Sequence, residues 1–143
     1  MKKELNNKGF SLVELIIVIA IMAVLMGVLA PQYLKYVKQS KISTDITNAE
    51  EIATAINVAV ADGVNASDAD SVMIATSGAS VNGGDEIVSK SNGGSVKAPK
   101  CKVNSSWTWT INYDKNNGVK EIKLNNWVIW PTSSDYESNA KNA

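Results

Sequence analysis

The chain has 143 residues, 14 basic against 14 acidic side chains for a formal net charge of zero, no histidine and one cysteine, Cys101. Zero net charge gives no electrostatic case for a specific nucleic acid as partner. The missing histidine removes Ser-His-Asp and Cys-His catalysis and His-based metal sites within one chain, and a single cysteine allows no intrachain disulfide. No catalytic residue, metal or cofactor is expected.

Residues 1–9 form a short leader with Lys2, Lys3, Glu4 and Lys8. The run Lys8-Gly9-Phe10-Ser11-Leu12-Val13-Glu14-Leu15 then enters an apolar segment that ends at Ala30. As a helix, Phe10 to Ala30 is about 31 Å long, enough to span a bilayer. Glu14 is its one charge, and a carboxylate near the centre of a membrane helix costs about 2.5 to 3.5 kcal/mol, so it needs a partner. Cleavage after Gly9 would supply one by freeing the amine of Phe10 one turn away. A secretory signal peptide would have an apolar core of roughly 7 to 15 residues and a small-residue cleavage site. Val28-Leu29-Ala30 half fits, but the core is too long and Pro31 would follow the cut. A plain signal anchor explains the length but neither Glu14 nor the Gly9-Phe10 junction. Lys35, Lys38 and Lys41 beyond the segment balance the leader's lysines, so the positive-inside rule nearly ties; the long polar C-terminal part places the leader in the cytoplasm.

The leader, the Gly9-Phe10 junction and the run Ser11-Leu12-Val13-Glu14-Leu15-Ile16 resemble the class III signal of type IV pilins and pseudopilins, the site read by prepilin peptidase. The resemblance implies cleavage between Gly9 and Phe10, N-methylation of Phe10, and an assembly role for Glu14 and Phe10. It also implies a helical homo-oligomeric filament, with prepilin peptidase, an assembly platform and ATPases as partners and the membrane as the store of monomers. Localisation would be single-pass in the membrane before assembly and extracellular, in a surface filament, after it. Without the leader the chain carries 11 Lys against 13 acids, about −2.

After the apolar helix of residues 10–31, residues 32–62 read as an amphipathic helix of the globular head. Leu34, Val37, Ile42, Ile46, Ala49, Ala53, Ile56 and Val60 share one face, with Lys35, Lys38, Lys41, Asp45, Glu50 and Glu51 elsewhere on the wheel. Asp62-Gly63 is the stop. Ser11 to Ala61 is thus one helix of about 76 Å whose first half no small head can bury. Pro31 lacks the N–H that would bond Gly27, so a kink or local melting is expected at Gly27 and Pro31; in the resembling family this stretch curves in subunits and unwinds in filaments.

Residues 63–106 are rich in Gly, Ser and Asn and read as a connector, variable among pilins and lying on the surface. Ser67-Asp68-Ala69-Asp70 has the spacing to cap a short helix through Ala75, and Asp68 and Asp70 fit helix-start acids better than a calcium loop. Gly83-Gly84 and Gly93-Gly94 mark turns, and Lys97, Lys100 and Lys102 read as a solvated basic cluster. Residues 107–131 change to a period of two. Trp107, Trp109, Ile111 and Tyr113 alternate with Thr108, Thr110 and Asn112, a turn spans Asp114 to Gly118, Val119 to Leu124 returns, Asn125-Asn126 turns again, and Trp127 to Trp130 ends at Pro131. This is a three-stranded antiparallel meander whose apolar face is covered by the amphipathic half of the helix, and its tryptophans are packing residues or a sugar-stacking surface. Residues 132–143 read as a polar, poorly ordered tail.

The fold class is α+β: a long N-terminal α-helix, apolar then amphipathic, packed against a small C-terminal antiparallel sheet, as in the pilin fold. The implied function is a structural subunit of a type IV pilus for adhesion, motility or related surface work. The alternatives are a pseudopilin of a type II secretion or DNA-uptake machine and an adhesive minor pilin. Many Gram-negative members close the C-terminal region with a disulfide; this chain departs from that, which points to a Gram-positive or anaerobic source and to a Gram-positive-type major pilin, and Cys101 itself reads as an inert or packed thiol rather than a reactive one.

Overall fold

The computed structural model describes residues 9–63, 78, 80–90, 94–114 and 116–143. The leader up to Lys8 and the proposed short helix from Ser67 to Ala75 lie outside the described residues. The chain divides into two units, residues 1–37 and 38–143.

In the first unit Gly9, Phe10 and Ser11 precede helix α1, which runs Leu12–Ala61 and continues into the second unit. Its apolar side chains are open all round, from Leu12 at 73% exposure to Leu29 at 58%. This segment has the length and composition to cross a membrane. The helix is continuous through Gly27 and Pro31. Proline removes one hydrogen bond there, and the flanking turns carry the helix across the gap.

The second unit holds the core. On its part of α1 the buried residues are Ile42, Asp45, Ala49, Ile52, Ala53, Ile56 and Ala59, a stripe at steps of three and four. Ile46 and Val60 pack at its margin. The stripe covers a four-stranded antiparallel sheet built from β1 (Ser80–Val81), β4 (Trp109–Asp114), β5 (Gly118–Leu124) and β6 (Trp127–Trp130), in the order β1-β4-β5-β6. Strands β2 (Glu86–Lys90) and β3 (Gly94–Lys97) form a separate antiparallel pair.

The period of two in β4 appears as strict alternation, with Trp109, Ile111 and Tyr113 buried and Thr110, Asn112 and Asp114 half-exposed. Ile122 and Leu124 of β5 and Ile129 of β6 complete the apolar face. On the other face Asn112 Nδ2 donates to Glu121 Oε1 at 2.7 Å, and Glu121 pairs with Lys123 at 2.9 Å. Both hairpin turns fall where Asn, Asp and Gly cluster. Asp114 Oδ1 accepts the backbone N–H groups of Asn116 and Asn117, Gly118 has φ 83°, and Asn125 has φ 60°. A side chain at Gly118 would also collide with Asn57 Oδ1, which accepts the N–H of Val119 at 2.8 Å.

Four expectations need correction. The sheet has four strands, because β1 from the connector pairs with β4 through Ser80 opposite Thr110 and Val81 opposite Trp109. The connector is not all surface, since Val81, Ile87, Ala98 and Cys101 are buried; apolar residues scattered singly among Gly and Ser give no period to read. Trp107 lies before β4 and is half-buried, its ring edge-on to Trp127 at 5.0 Å. The tail forms helix α2 (Ser134–Ala140) with Tyr136 and Ala140 fully buried.

Candidate functional site

The N-terminal site is built by the start of α1. Gly9 and Phe10 are exposed, Phe10 at 88%, in backbone outside the helix. Ser11 occupies the N-cap position. Its N–H donates to Glu14 Oε2 at 2.8 Å, and its Oγ receives the N–H of Val13 at 3.4 Å. This is a reciprocal cap of the S-x-x-E type, and it puts a carboxylate in the first turn, where the helix dipole favours one. Glu14 thus has a partner inside its own chain. The sequence reading passed over it although Ser11-Leu12-Val13-Glu14 spells the pattern. Gly27 and Pro31 sit one turn apart further along the same helix, away from this end.

The head contains a second polar centre. Asp45, placed on the solvent side of the wheel by its charge, is fully buried. Its Oδ1 accepts the N–H of Lys102 at 2.7 Å. Its Oδ2 accepts the N–H of Val103 at 3.1 Å, the hydroxyl of Tyr136 at 2.8 Å and the thiol of Cys101 at 3.1 Å. One carboxylate therefore ties α1, the loop after β3 and α2 together, and ionised it can accept from all four donors. Burial, then the neighbouring carboxylate, pushes the Cys101 thiol up to about 11, with the N–H of Asn104 opposing at 3.4 Å. Burial and Asp45 raise the Tyr136 phenol far above its ordinary value. Both groups stay protonated and donate, so Cys101 is a packed thiol rather than a nucleophile. The carboxylate is taken up by these donors, and among the described residues no group of His, Cys, Asp and Glu is arranged to hold a metal.

Comparison with known proteins bears on the N-terminal site. Residues 5–30 match the prokaryotic N-terminal methylation motif. The chain is 40% identical over 60 residues to a type IV major fimbrial protein FimA of Dichelobacter nodosus, covering 42% of this chain and 38% of that protein. It is 34% identical over 57 residues to a fimbrial protein of Pseudomonas aeruginosa, covering 40% and 37%. A fimbrial protein of Moraxella nonliquefaciens is 39% identical over 51 residues, covering 36% and 33%. The chain spans less than two fifths of the length of the first of these relatives. No solved structure matches it. The motif, the helix that carries it and these relatives make the N-terminal part of the chain similar to that of type IV fimbrial proteins. The expectation of a Gram-positive source has no support in these matches.

Proposed function

We propose that the chain is a precursor subunit of a type IV pilus, cut between Gly9 and Phe10, methylated on the new amine and polymerised through the apolar half of α1. The observation that carries this is the methylation motif on residues 5–30, set on a helix whose large apolar residues from Leu12 to Leu29 are exposed among the described residues. Lipid supplies that cover before assembly, and neighbouring copies supply it afterwards. Glu14, capped by the Ser11 N–H, would gain the amine of Phe10, most simply from an adjacent subunit, since a desolvated carboxylate held by one amide is still costly. Prepilin peptidase, an assembly platform and ATPases are the partners this requires, and Gly27 with Pro31 is the point where the helix would bend or unwind on assembly. The work is structural rather than enzymatic. The relatives are fimbrial proteins, which favours the pilus over a secretion pseudopilin or an adhesive minor pilin.

Intact-mass measurement of the purified subunit, with electron microscopy of the cell surface, tests this reading. A chain starting at methylated Phe10 and abundant fibres containing it are expected. A mature chain that keeps Met1 to Gly9, or one cut after Ala30, overturns it. Short envelope-spanning assemblies with a secretion defect on deletion would transfer the subunit to the pseudopilins.

A further inference from the structure

Along α1, neither the head nor a bilayer's hydrocarbon accounts for Tyr33, Leu34 and Tyr36. They are 67%, 66% and 73% exposed, whereas the head's buried stripe begins only at Ile42. Among the described residues neither tyrosine hydroxyl has a hydrogen-bond partner and Lys35, also exposed, has no ion pair. By helical rise Tyr33 lies about 31 Å and Tyr36 about 36 Å along the axis from Leu12. The hydrocarbon core is about 30 Å thick and the whole bilayer about 40 to 45 Å, so a segment that starts its crossing at Leu12 brings both rings into the far headgroup layer. Tyrosine suits that layer because the ring is apolar and the hydroxyl needs a wet partner. Spaced three apart, the two rings lie on one side of the helix. Lys35 between them can lay its stem along the apolar surface and raise its ammonium to a phosphate.

We propose that Tyr33, Leu34, Lys35 and Tyr36 form an interfacial belt that seats the unassembled subunit in the headgroup layer of an anionic membrane and fixes its depth. The belt continues the apolar face of the span without a break, carries the charge that anionic headgroups attract, and lies where the length of that span ends. This rests on the membrane-anchored precursor argued above. It adds a depth stop to that reading, one that keeps the apolar half of α1 from sliding toward either side before assembly.

The test uses the full chain in a Cys101→Ser background, with single spin labels at Val24→Cys or Val37→Cys, in vesicles of equimolar phosphatidylcholine and phosphatidylglycerol. Collision with oxygen reports hydrocarbon, and collision with a nickel chelate reports water. The Val24 label should read as hydrocarbon and the Val37 label as headgroup layer. Replacing both tyrosines by Ser should raise nickel access at Val37 severalfold, replacing both by Trp should leave it unchanged, and Lys35→Gln should move it only in the anionic vesicles. An unchanged Val37 reading in the double Ser variant overturns the belt. If that variant also loses filaments, the tyrosines are instead a contact between copies. A Val24 label that reads as water overturns the membrane-anchored reading itself, so the two failures are distinguishable.

Discussion

Asp45→Ala in a soluble fragment starting at Gln32 is the sharpest test of how the head holds together. The substitution removes one acceptor group and strands four donors: the thiol of Cys101, the hydroxyl of Tyr136 and the N–H groups of Lys102 and Val103. A hydrogen bond to a charged group contributes about 1.5 to 3 kcal/mol, and a buried donor left alone costs about 1 to 3 kcal/mol. The two amides sit in a partly buried loop where water can reach them, so the net loss should be about 3 to 5 kcal/mol. A domain of this size is stable by about 5 to 15 kcal/mol, and each kcal/mol moves its melting point by roughly 4 to 8 °C, so a fall on the order of 15 to 25 °C is expected. Asp45→Asn keeps the volume but turns a donor toward donors, and should cost about 2 to 4 kcal/mol. Urea unfolding followed by tryptophan fluorescence measures both. Tyr136→Phe should cost about 1.5 to 3 kcal/mol alone and almost nothing once Asp45 is Ala, because the two share one bond. The reasoning is refuted if Asp45→Asn unfolds within about 0.5 kcal/mol of the parent, or if the two losses simply add.

Cys101 should resist iodoacetamide in the folded head and react once it is unfolded. Because folding raises its pKa from 9.0 to about 11, its contribution to stability is full below about pH 9 and is lost as the pH climbs through about 11, which urea midpoints across that range would reveal. Trp109, fully buried with its indole N–H on the carbonyl of Pro99 at 2.7 Å, should cost about 3 to 5 kcal/mol when changed to Ala, and half-buried Trp107 distinctly less; equal melting of both variants and the parent, with loss of glycan binding, would make the aromatics a recognition surface. Gly118→Ala should destabilise by about 1 kcal/mol or more, read as a lower urea midpoint, since its positive φ and the Asn57 side chain both oppose a Cβ. Glu14→Gln preserves the cap's chemistry and Glu14→Ala does not, so both should be expressed and cleaved, with filament yield on electron microscopy lower for Ala. Normal filaments from the Ala variant would remove Glu14 from assembly.

The long helix and the β4–β6 meander were legible because each carries a sustained period and ends in turn residues. Ile52 and Ala59 were missed on the buried stripe while Leu34 was wrongly included, because a wheel drawn through the whole helix has no mark for where the head begins. Asp45 was misplaced for a physical reason: a pattern of polar and apolar letters sends a carboxylate to water unless donors are in view, and its side-chain partners stand 56 and 91 positions away. Helix α2 hides likewise, since Ser134 to Ala140 is polar but for Tyr136 and Ala140, the two residues that are buried. At the N-terminal site the pattern around Gly9, Phe10 and Glu14 lies inside the stretch that the methylation motif matches. The cap between Ser11 and Glu14 is spelled by Ser11-Leu12-Val13-Glu14, but the cost of a charge in lipid drew Glu14 toward the amine of Phe10 and away from the amide three residues before it.

The Asp45 centre also sets an order of events in time. Its acceptor stands 91 positions ahead of its last donor, Tyr136. A chain made N-terminus first therefore holds an uncompensated carboxylate in its future interior until Tyr136 has been added. Until then Asp45 favours water, and the core around Ile42 and Ala49 cannot close over it. Closure of the head therefore waits for Tyr136, however early the long helix forms.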